Sequence, residues 1–277
     1  MADIVSPRAL TSELSPYIVI ATQSSLSVSS LNGEQKEEVY SVNRDIADID
    51  WFEDSIYWST SDGSVYYMNK SCLNDSLTKV ELDTVKAIAV DWFSGMLYWV
   101  NHKHSVIYRS LVFEDGTLFD TEHVMTSSAT DLAIDSMHAY LYWTTLKTVE
   151  CSRLNGDNHF TYQTSPDFSG ETIIGLTLNF DDDKLYWFVH TSLGLQLYQS
   201  DLAHRSVHLV ATVKKLFLVN SSTMTPALHY YSNRLFWLNE YHHVVISTLS
   251  SDDIAVMPFS NEVFALGIIQ STLHPVP

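Results

Sequence analysis

A large apolar strand carrying two adjacent aromatics recurs five times in the chain. Tyr57-Trp58 sits in IYWS, Tyr98-Trp99 in LYWV, Tyr142-Trp143 in LYWT, Tyr186-Trp187 in LYWF and Phe236-Trp237 in LFWL. The tryptophans Trp58, Trp99, Trp143, Trp187 and Trp237 are spaced 41, 44, 44 and 50 residues apart. Such a period belongs to arrays in which each unit is one supersecondary element that cannot bury its apolar face alone. Eight residues before each Trp stands a polar residue: Asp50, Asp91, Asp135, Asn179 and His229. Small and aliphatic residues precede most of these, and an alternating stretch begins about seven residues after each Trp. Turn signals such as SDG, FSG, DDD and SNR punctuate the units.

Each unit therefore reads as four short antiparallel strands in about 40–45 residues, the arithmetic of a propeller blade. The first strand lines a narrow channel, which suits Ala87, Ala89, Ala133 and Gly175. The second is sandwiched between neighbouring blades. A strand buried on both faces shows a continuous apolar run. Each buried Trp or Tyr removes about 150–250 Å² from water, roughly 4–6 kcal/mol gross before conformational entropy. The recurring Asp is read as a structural residue that ties its blade to a neighbour or to the turn, since a buried carboxylate needs partners.

The two ends complete the count. VFALGIIQ, residues 263–270, looks like a first strand with no aromatic strand after it, whereas SPYIVIATQSSLSVSSLNG supplies second and third strands with no first. The expected fold is all-β: a six-bladed propeller whose last blade takes its innermost strand from the C-terminus and the rest from the N-terminus. That closure removes open sheet edges. The corresponding bounds are a lead-in over 1–15, the propeller over 16–270 and a linker stub over 271–277.

Composition bounds the partners. The chain has 33 acidic and 15 basic residues, a formal net charge of −18. This argues against nucleic acid, which is held through Lys and Arg, and favours basic proteins or peptides. No apolar run approaches the roughly 20 residues of a membrane helix, so no direct membrane insertion is expected of this segment. The start, MADIVSPRAL, lacks the features of a secretory signal, and the chain reads as a segment of a longer one. Sequons at Asn69, Asn74 and Asn220 are candidate glycosylation sites. Cys72 and Cys151 fall in blades that are not neighbours, so two free thiols are expected.

The Tyr-Trp pairs, with an Asp eight residues upstream of the first three, resemble the YWTD repeat, the class B repeat of the low-density-lipoprotein receptor family. The resemblance covers about residues 16–270 and implies a six-bladed propeller. The final Asp of the tetrad is missing in every copy, replaced by Thr60, Asn101, Thr145, Val189 and Asn239. No cysteine follows the last repeat. An Asp-poor version without cysteine-rich neighbours looks most like the propellers in ROS/sevenless receptor tyrosine kinase ectodomains. The resemblance implies a non-catalytic, extracellular protein-binding or spacer module that contacts a protein ligand or neighbouring domains without a cofactor. A ligand-binding propeller of a lipoprotein-receptor-type endocytic receptor is the alternative. A metal-dependent propeller hydrolase is a second.

No GxSxG elbow, HExxH or phosphate loop is present, and no catalytic or metal site is assigned. The recurrence of Asp50, Asp91 and Asp135 favours architecture over catalysis. The loops joining second to third strands should emerge on one face. They hold His102, His104, His190, His242 and His243, together with Glu240 and Tyr241. A His-rich face can change charge between neutral and endosomal pH, and an exposed Tyr among mixed charges suits a protein contact. These seven are the candidate ligand-face residues.

Overall fold

In a computed structural model of the chain, the residues described are 16–23, 25–33, 36–41, 46–52, 55–69, 77–165, 171–192, 194–213, 227–239, 241–249, 254–257, 259 and 262–269. They form 24 strands in six four-stranded antiparallel sheets. Blade 1 runs from β4 (Ile46–Phe52) to β7 (Leu77–Val80), and blade 2 from β8 (Val85–Asp91) to β11 (Leu118–Thr126). Blade 3 runs from β12 (Asp131–Asp135) to β15 (Phe160–Thr164), and blade 4 from β16 (Thr172–Asn179) to β19 (Val207–Val213). Blade 5 runs from β20 (Leu228–Tyr231) to β23 (Ile254–Val256). First strands touch in the order 1-2-3-4-5-6 and back to 1, which closes the ring.

Blade 6 has the order β24 (Ala265–Ile269), β1 (Tyr17–Ala21), β2 (Ser25–Ser30), β3 (Lys36–Ser41). The C-terminal strand pairs antiparallel with the N-terminal one, Tyr17 opposite Ile269 and Ala21 opposite Ala265. The six-bladed closure expected from the repeat is the observed one. Asn69 ends the third strand of blade 1 (Val65–Asn69). Asn74, Asn220, Glu240 and Cys72 lie outside the described residues, as do residues 1–15 and 270–277.

The aromatic pairs explain how the blades adhere. Adjacent side chains on a strand point to opposite faces. Trp58, Trp99, Trp143, Trp187 and Trp237 all pack toward the preceding blade, while Tyr57, Tyr98, Tyr142, Tyr186 and Phe236 pack toward the following one. Trp143, for example, shares a core with Ala87, Ala89 and Tyr98 of blade 2, while Tyr142 joins Ile173, Leu176 and Trp187 of blade 4. Blade 6 has no such pair. Ile18 and Ile20 face blade 5, and Val19 and Ala21 face blade 1, so aliphatic burial replaces aromatic burial at the closure.

Two outcomes follow. Trp143→Ala should cost about 3–5 kcal/mol of stability, read as the midpoint shift in urea, whereas Phe93→Ser on the surface should stay within about 0.5 kcal/mol. Truncation after Glu262 removes β24 and bares the β1 edge. Light scattering should then show concentration-dependent association that the full chain lacks.

Candidate functional site

The innermost strand of every blade is a sheet edge, so half of its backbone groups have no partner within the sheet. Neighbouring blades supply those partners through side chains. The N–H groups of Ile88 and Val90 donate to Asp48 Oδ2 at 2.9 Å and Asp50 Oδ2 at 2.6 Å. The other oxygens of these carboxylates accept from Ile49 and Trp51 of their own strand. Asp131 of blade 3 accepts from Leu176 of blade 4 and from Leu132. Thr177 Oγ1 accepts from Tyr230 N of blade 5 at 3.0 Å. His229 donates to the Leu266 carbonyl of blade 6. Trp51 Nε1 donates back to Ile268 O of blade 6 at 3.0 Å. Between blades 2 and 3 the Lys86 charge acts on Asp131.

Asp48, Asp50, Trp51, Asp131, Thr177 and His229 line a channel cavity of about 140 Å³. Burial raises the Asp48 carboxyl well above its usual range, and the nearby Asp131 charge adds to the effect. Burial pushes Asp50 and Asp131 up to about 7, although backbone N–H groups hold them back. Burial lowers His229 to about 4 and lowers Lys86 as well, with Asp131 opposing the latter. Among the described residues, no group of three or more His, Cys, Asp and Glu side chains could hold a metal ion.

The sequence count misassigns one member of the repeated acidic set. Counting back eight residues from Trp groups Asp50 with Asp91 and Asp135. The strand register does not. Asp50 and His229 share a rung with Ala89, Ala133 and Thr177, each opposite the Tyr or Phe of its pair. Asp91, Asp135 and Asn179 lie two rungs further on, at the hairpin turn. The reason is turn length: Phe52 pairs with Ser55 and Tyr231 with Arg234, whereas Asp91 pairs with Met96 and Asp135 with Tyr140. The turns of blades 1 and 5 are two residues shorter, which shifts the count without moving the strands. Asp91 accepts from Phe93 N and Ser94 Oγ, and Asp135 from His138 N and its ring, so both serve the turn while Asp50 laces the hub. The count missed Asp48, Asp131, Lys86, Thr177 and Trp51. The available signal was a carboxylate, or a Thr, at positions in phase with Ala87, Ala89 and Ala133.

The missing final Asp of each tetrad also has a physical account. Asn101 Oδ1 accepts from His104 N, Thr145 Oγ1 from Lys147 N and Thr148 N, and Asn239 Oδ1 from Tyr241 N and His243 N. Thr60 Oγ1 bonds Asp62 and the Ser64 carbonyl. Neutral side chains thus brace the turns between second and third strands, as Asx and Ser/Thr turns do. In blade 4 the hairpin continues two residues beyond Val189, and Thr191 takes this role toward Gly194.

Those turns carry the candidate ligand-face residues. Connections from second to third strands and from fourth to first share one face, because successive antiparallel strands alternate direction. His102 and His104 are exposed in the blade 2 turn. Tyr241, 54% exposed, and His243 lie in the blade 5 turn with ring centroids 6.3 Å apart. His242 is half-buried, adopts φ +58° and packs 4.6 Å from the Phe264 ring, while its carbonyl accepts from Val263 N. His190 is half-buried at a strand end in blade 4. The ring brings His190 to the blade beside Tyr241–His243 but sets His102 and His104 across the channel from them, since blades 2 and 5 are opposite. The histidines form two groups on one face, not one cluster.

The channel groups generate a pH dependence. The unfolded chain releases the Asp50 and Asp131 protons near 4, while the fold keeps them to about 7. Their contribution to stability is therefore present in full below about 4 and is lost as pH rises through 7. His229 acts oppositely: its contribution holds above about 6.5 and is lost as pH falls through 4. Carboxylates outnumber the histidine, so the hub's net contribution should be larger at pH 5.5 than at pH 7.5. Asp50→Asn keeps one acceptor but turns an NH2 toward the other N–H. It should lower stability by about 1–3 kcal/mol at neutral pH and flatten the slope of urea midpoint against pH.

Comparison with known proteins fits this architecture. The chain is 32% identical over 246 residues to the proto-oncogene tyrosine-protein kinase ROS of Gallus gallus, covering 87% of this chain. It is 32% identical over 265 residues to the Homo sapiens protein of the same name, covering 95% of this chain. It spans about a tenth of the length of these relatives. No protein-family model matches it. Among solved structures, a chain of the nidogen/laminin complex superposes with a TM-score of 0.73 at 15% identity, covering 92% of this chain and 99% of that one. A candidate 6-phosphogluconolactonase from Bacteroides fragilis gives 0.58 at 10% identity, covering 94% of this chain and 99% of that one. At these identities the structural likeness shows the fold. The chain is a six-bladed YWTD-type propeller homologous to part of the ROS tyrosine kinases.

Proposed function

We propose that the chain is a non-catalytic, extracellular protein-binding or spacer module of a cell-surface receptor of the ROS type, with the propeller over 16–270 flanked by a lead-in and a linker stub. The similarity to ROS kinases along most of the chain carries this reading. The hub chemistry supports it. The buried carboxylates Asp48, Asp50 and Asp131 are engaged by backbone N–H groups of adjacent strands, a role in holding the ring together.

The contact surface in this reading is the face of second-to-third-strand turns. His102 and His104 form one contact point and Tyr241 and His243 the other, with His242 packed on Phe264 behind the second and His190 on the adjacent blade; Glu240 is a candidate from the sequence alone. A rigid ring presents both at fixed separation. A protein partner with two contact patches fits that geometry, and the net charge of −18 favours a basic one. Nidogen, whose propeller fold this chain shares, was crystallised in complex with laminin.

A metal-dependent hydrolase is the rival reading. It has in its favour the buried channel carboxylates and a fold shared with a candidate lactonase. Two measurements separate them. The purified chain, with and without added Ca²⁺ or Zn²⁺, should hydrolyse no lactone above background. Against an array of extracellular proteins it should capture a partner at pH 7.4. Tyr241→Ala should weaken that capture at least tenfold, the mark of a hot spot, and replacing His102, His104, His242 and His243 by Gln should remove the difference between pH 7.4 and 5.5. Lactone turnover would overturn the receptor reading. An unchanged pH profile would remove the histidines from the contact.

A further inference from the structure

The crevice between blades 3 and 4 differs from the two that precede it in a way that points to a ligand. In blades 1 and 2 the residue of the third strand opposite the Tyr of the aromatic pair reaches the following blade. In blade 1 this is Tyr67, opposite Tyr57. Its hydroxyl donates to the Phe113 and Glu114 carbonyls of the blade 2 hairpin, at 3.3 and 2.6 Å. In blade 2 it is Arg109, opposite Tyr98. Its guanidinium and the Tyr98 hydroxyl both donate to the Leu154 carbonyl of the blade 3 hairpin, at 3.1 and 3.2 Å. In blade 3 the same position is Cys151, opposite Tyr142. Its thiol is too short to cross.

A cavity of about 270 Å³ takes the place of the missing side chain. Its walls are the Tyr140, Tyr142 and Tyr162 rings and the Cys151 thiol, Leu202, Ala203 and Arg205 of blade 4, and, toward the turns, Asp135, His138 and Asp183. The Tyr142 and Tyr162 rings stand 6.1 Å apart at 45° in this wall. Leu202 is the counterpart of Leu154: each N–H donates to the preceding turn of its own blade, at Asp183 O and Ala139 O. Among the described residues no side chain donates to the Leu202 carbonyl. The Arg205 guanidinium lies over the Phe160 ring, 4.1 Å from its centroid, beside the cavity.

We propose that this crevice is a binding site for a phenol ring, the side-chain chemistry of tyrosine. The ring would occupy the space that Tyr67 fills two interfaces earlier, and its hydroxyl would donate to the Leu202 carbonyl. Three features select this guest. The volume exceeds the roughly 150 Å³ that suffices for benzene. The walls are aromatic, with an Arg placed for a cation–π contact. A guanidinium guest, the alternative suggested by Arg109, would meet Arg205 in the same cavity, and of the two wall carboxylates Asp135 is already taken up by the His138 N–H and ring, which leaves Asp183. The mouth is formed by first-to-second-strand turns and third-to-fourth-strand connections, so it opens on the face opposite the histidine turns and is independent of the contact proposed there.

The test uses the 277-residue chain with 4-methylphenol, toluene, ethylguanidinium and an Ala-Ala-Tyr-Ala-Ala peptide, read by thermal shift and by NMR shifts of the protein. Expected is saturable binding of 4-methylphenol with a Kd on the order of 1 mM, at least tenfold tighter than toluene. Arg205→Gln, at an exposed position, should weaken it several-fold, and Cys151→Phe should abolish it by filling the cavity. Binding of the peptide as well identifies a polypeptide tyrosine as the source of the ring; binding of 4-methylphenol alone identifies a free phenol. Absence of 4-methylphenol binding to the unmodified chain, equal binding of toluene, or preference for ethylguanidinium overturns the proposal, whether or not Cys151→Phe folds.

Discussion

The first strands of the blades run side by side around a common axis, each presenting an edge of backbone N–H and C=O groups to its neighbour. An unpaired buried backbone group costs about as much as a lost hydrogen bond. A ring of sheets therefore holds only if that edge is satisfied from outside the sheet. Asp48, Asp50, Asp131, Thr177 and His229 do this in one direction and Trp51 in the other. Where no such group is available, small residues let the strands approach. Ala87 and Ala89 meet blade 3 directly, and a Cβ on Gly267 would lie 3.3 Å from Ile49 Cγ2. The burial that displaces these side chains from their ordinary pKa values is a cost of putting acceptors where backbone donors need them.

Outside the hub the glue changes character. The Trp and Tyr of each second strand divide the work, one ring for each neighbouring blade, so every interface is built from side chains of both. This is why one aromatic strand per blade suffices, and why the closing blade, whose second strand brings Ile18, Val19, Ile20 and Ala21 in place of an aromatic pair, depends more on strand pairing between the chain ends. The turns are braced separately, by neutral Thr and Asn side chains bonding main-chain groups. Loop sequence is thereby decoupled from ring stability. Residues such as His102, His104 and Tyr241 can vary while Asn101 and Asn239 keep the turns in shape.

A rigid ring with two differently equipped faces suits recognition by surface. One face carries the two histidine groups on opposite sides of the channel. The other carries the turns capped by Asp91 and Asp135 and the mouth of the crevice at Cys151. Fold alone does not choose between receptors and hydrolases, since propellers serve both; the use to which the channel carboxylates are put bears on the choice.

The amino-acid sequence determined the repeat, the strand type and the closure. A 41–50 residue spacing of Tyr-Trp pairs leaves few architectures, and the incomplete ends fit only each other. It also favours a structural role for the recurring acidic residues, without telling which of them serves the hub and which the turns. Counting from Trp treated Asp50 and Asp91 as equivalents, because a two-residue difference in turn length is invisible until the strand register is known. Asp48 and Asp131 went unnoticed because their partners are backbone amides of strands 40 and 45 residues later, and a backbone donor leaves no trace in composition. The separation of the histidines into two groups, and the hollow that Cys151 leaves between blades 3 and 4, were likewise decided by the ring. Both depend on which blades are neighbours and how far a side chain must reach, and those are distances that exist only once the chain has closed on itself.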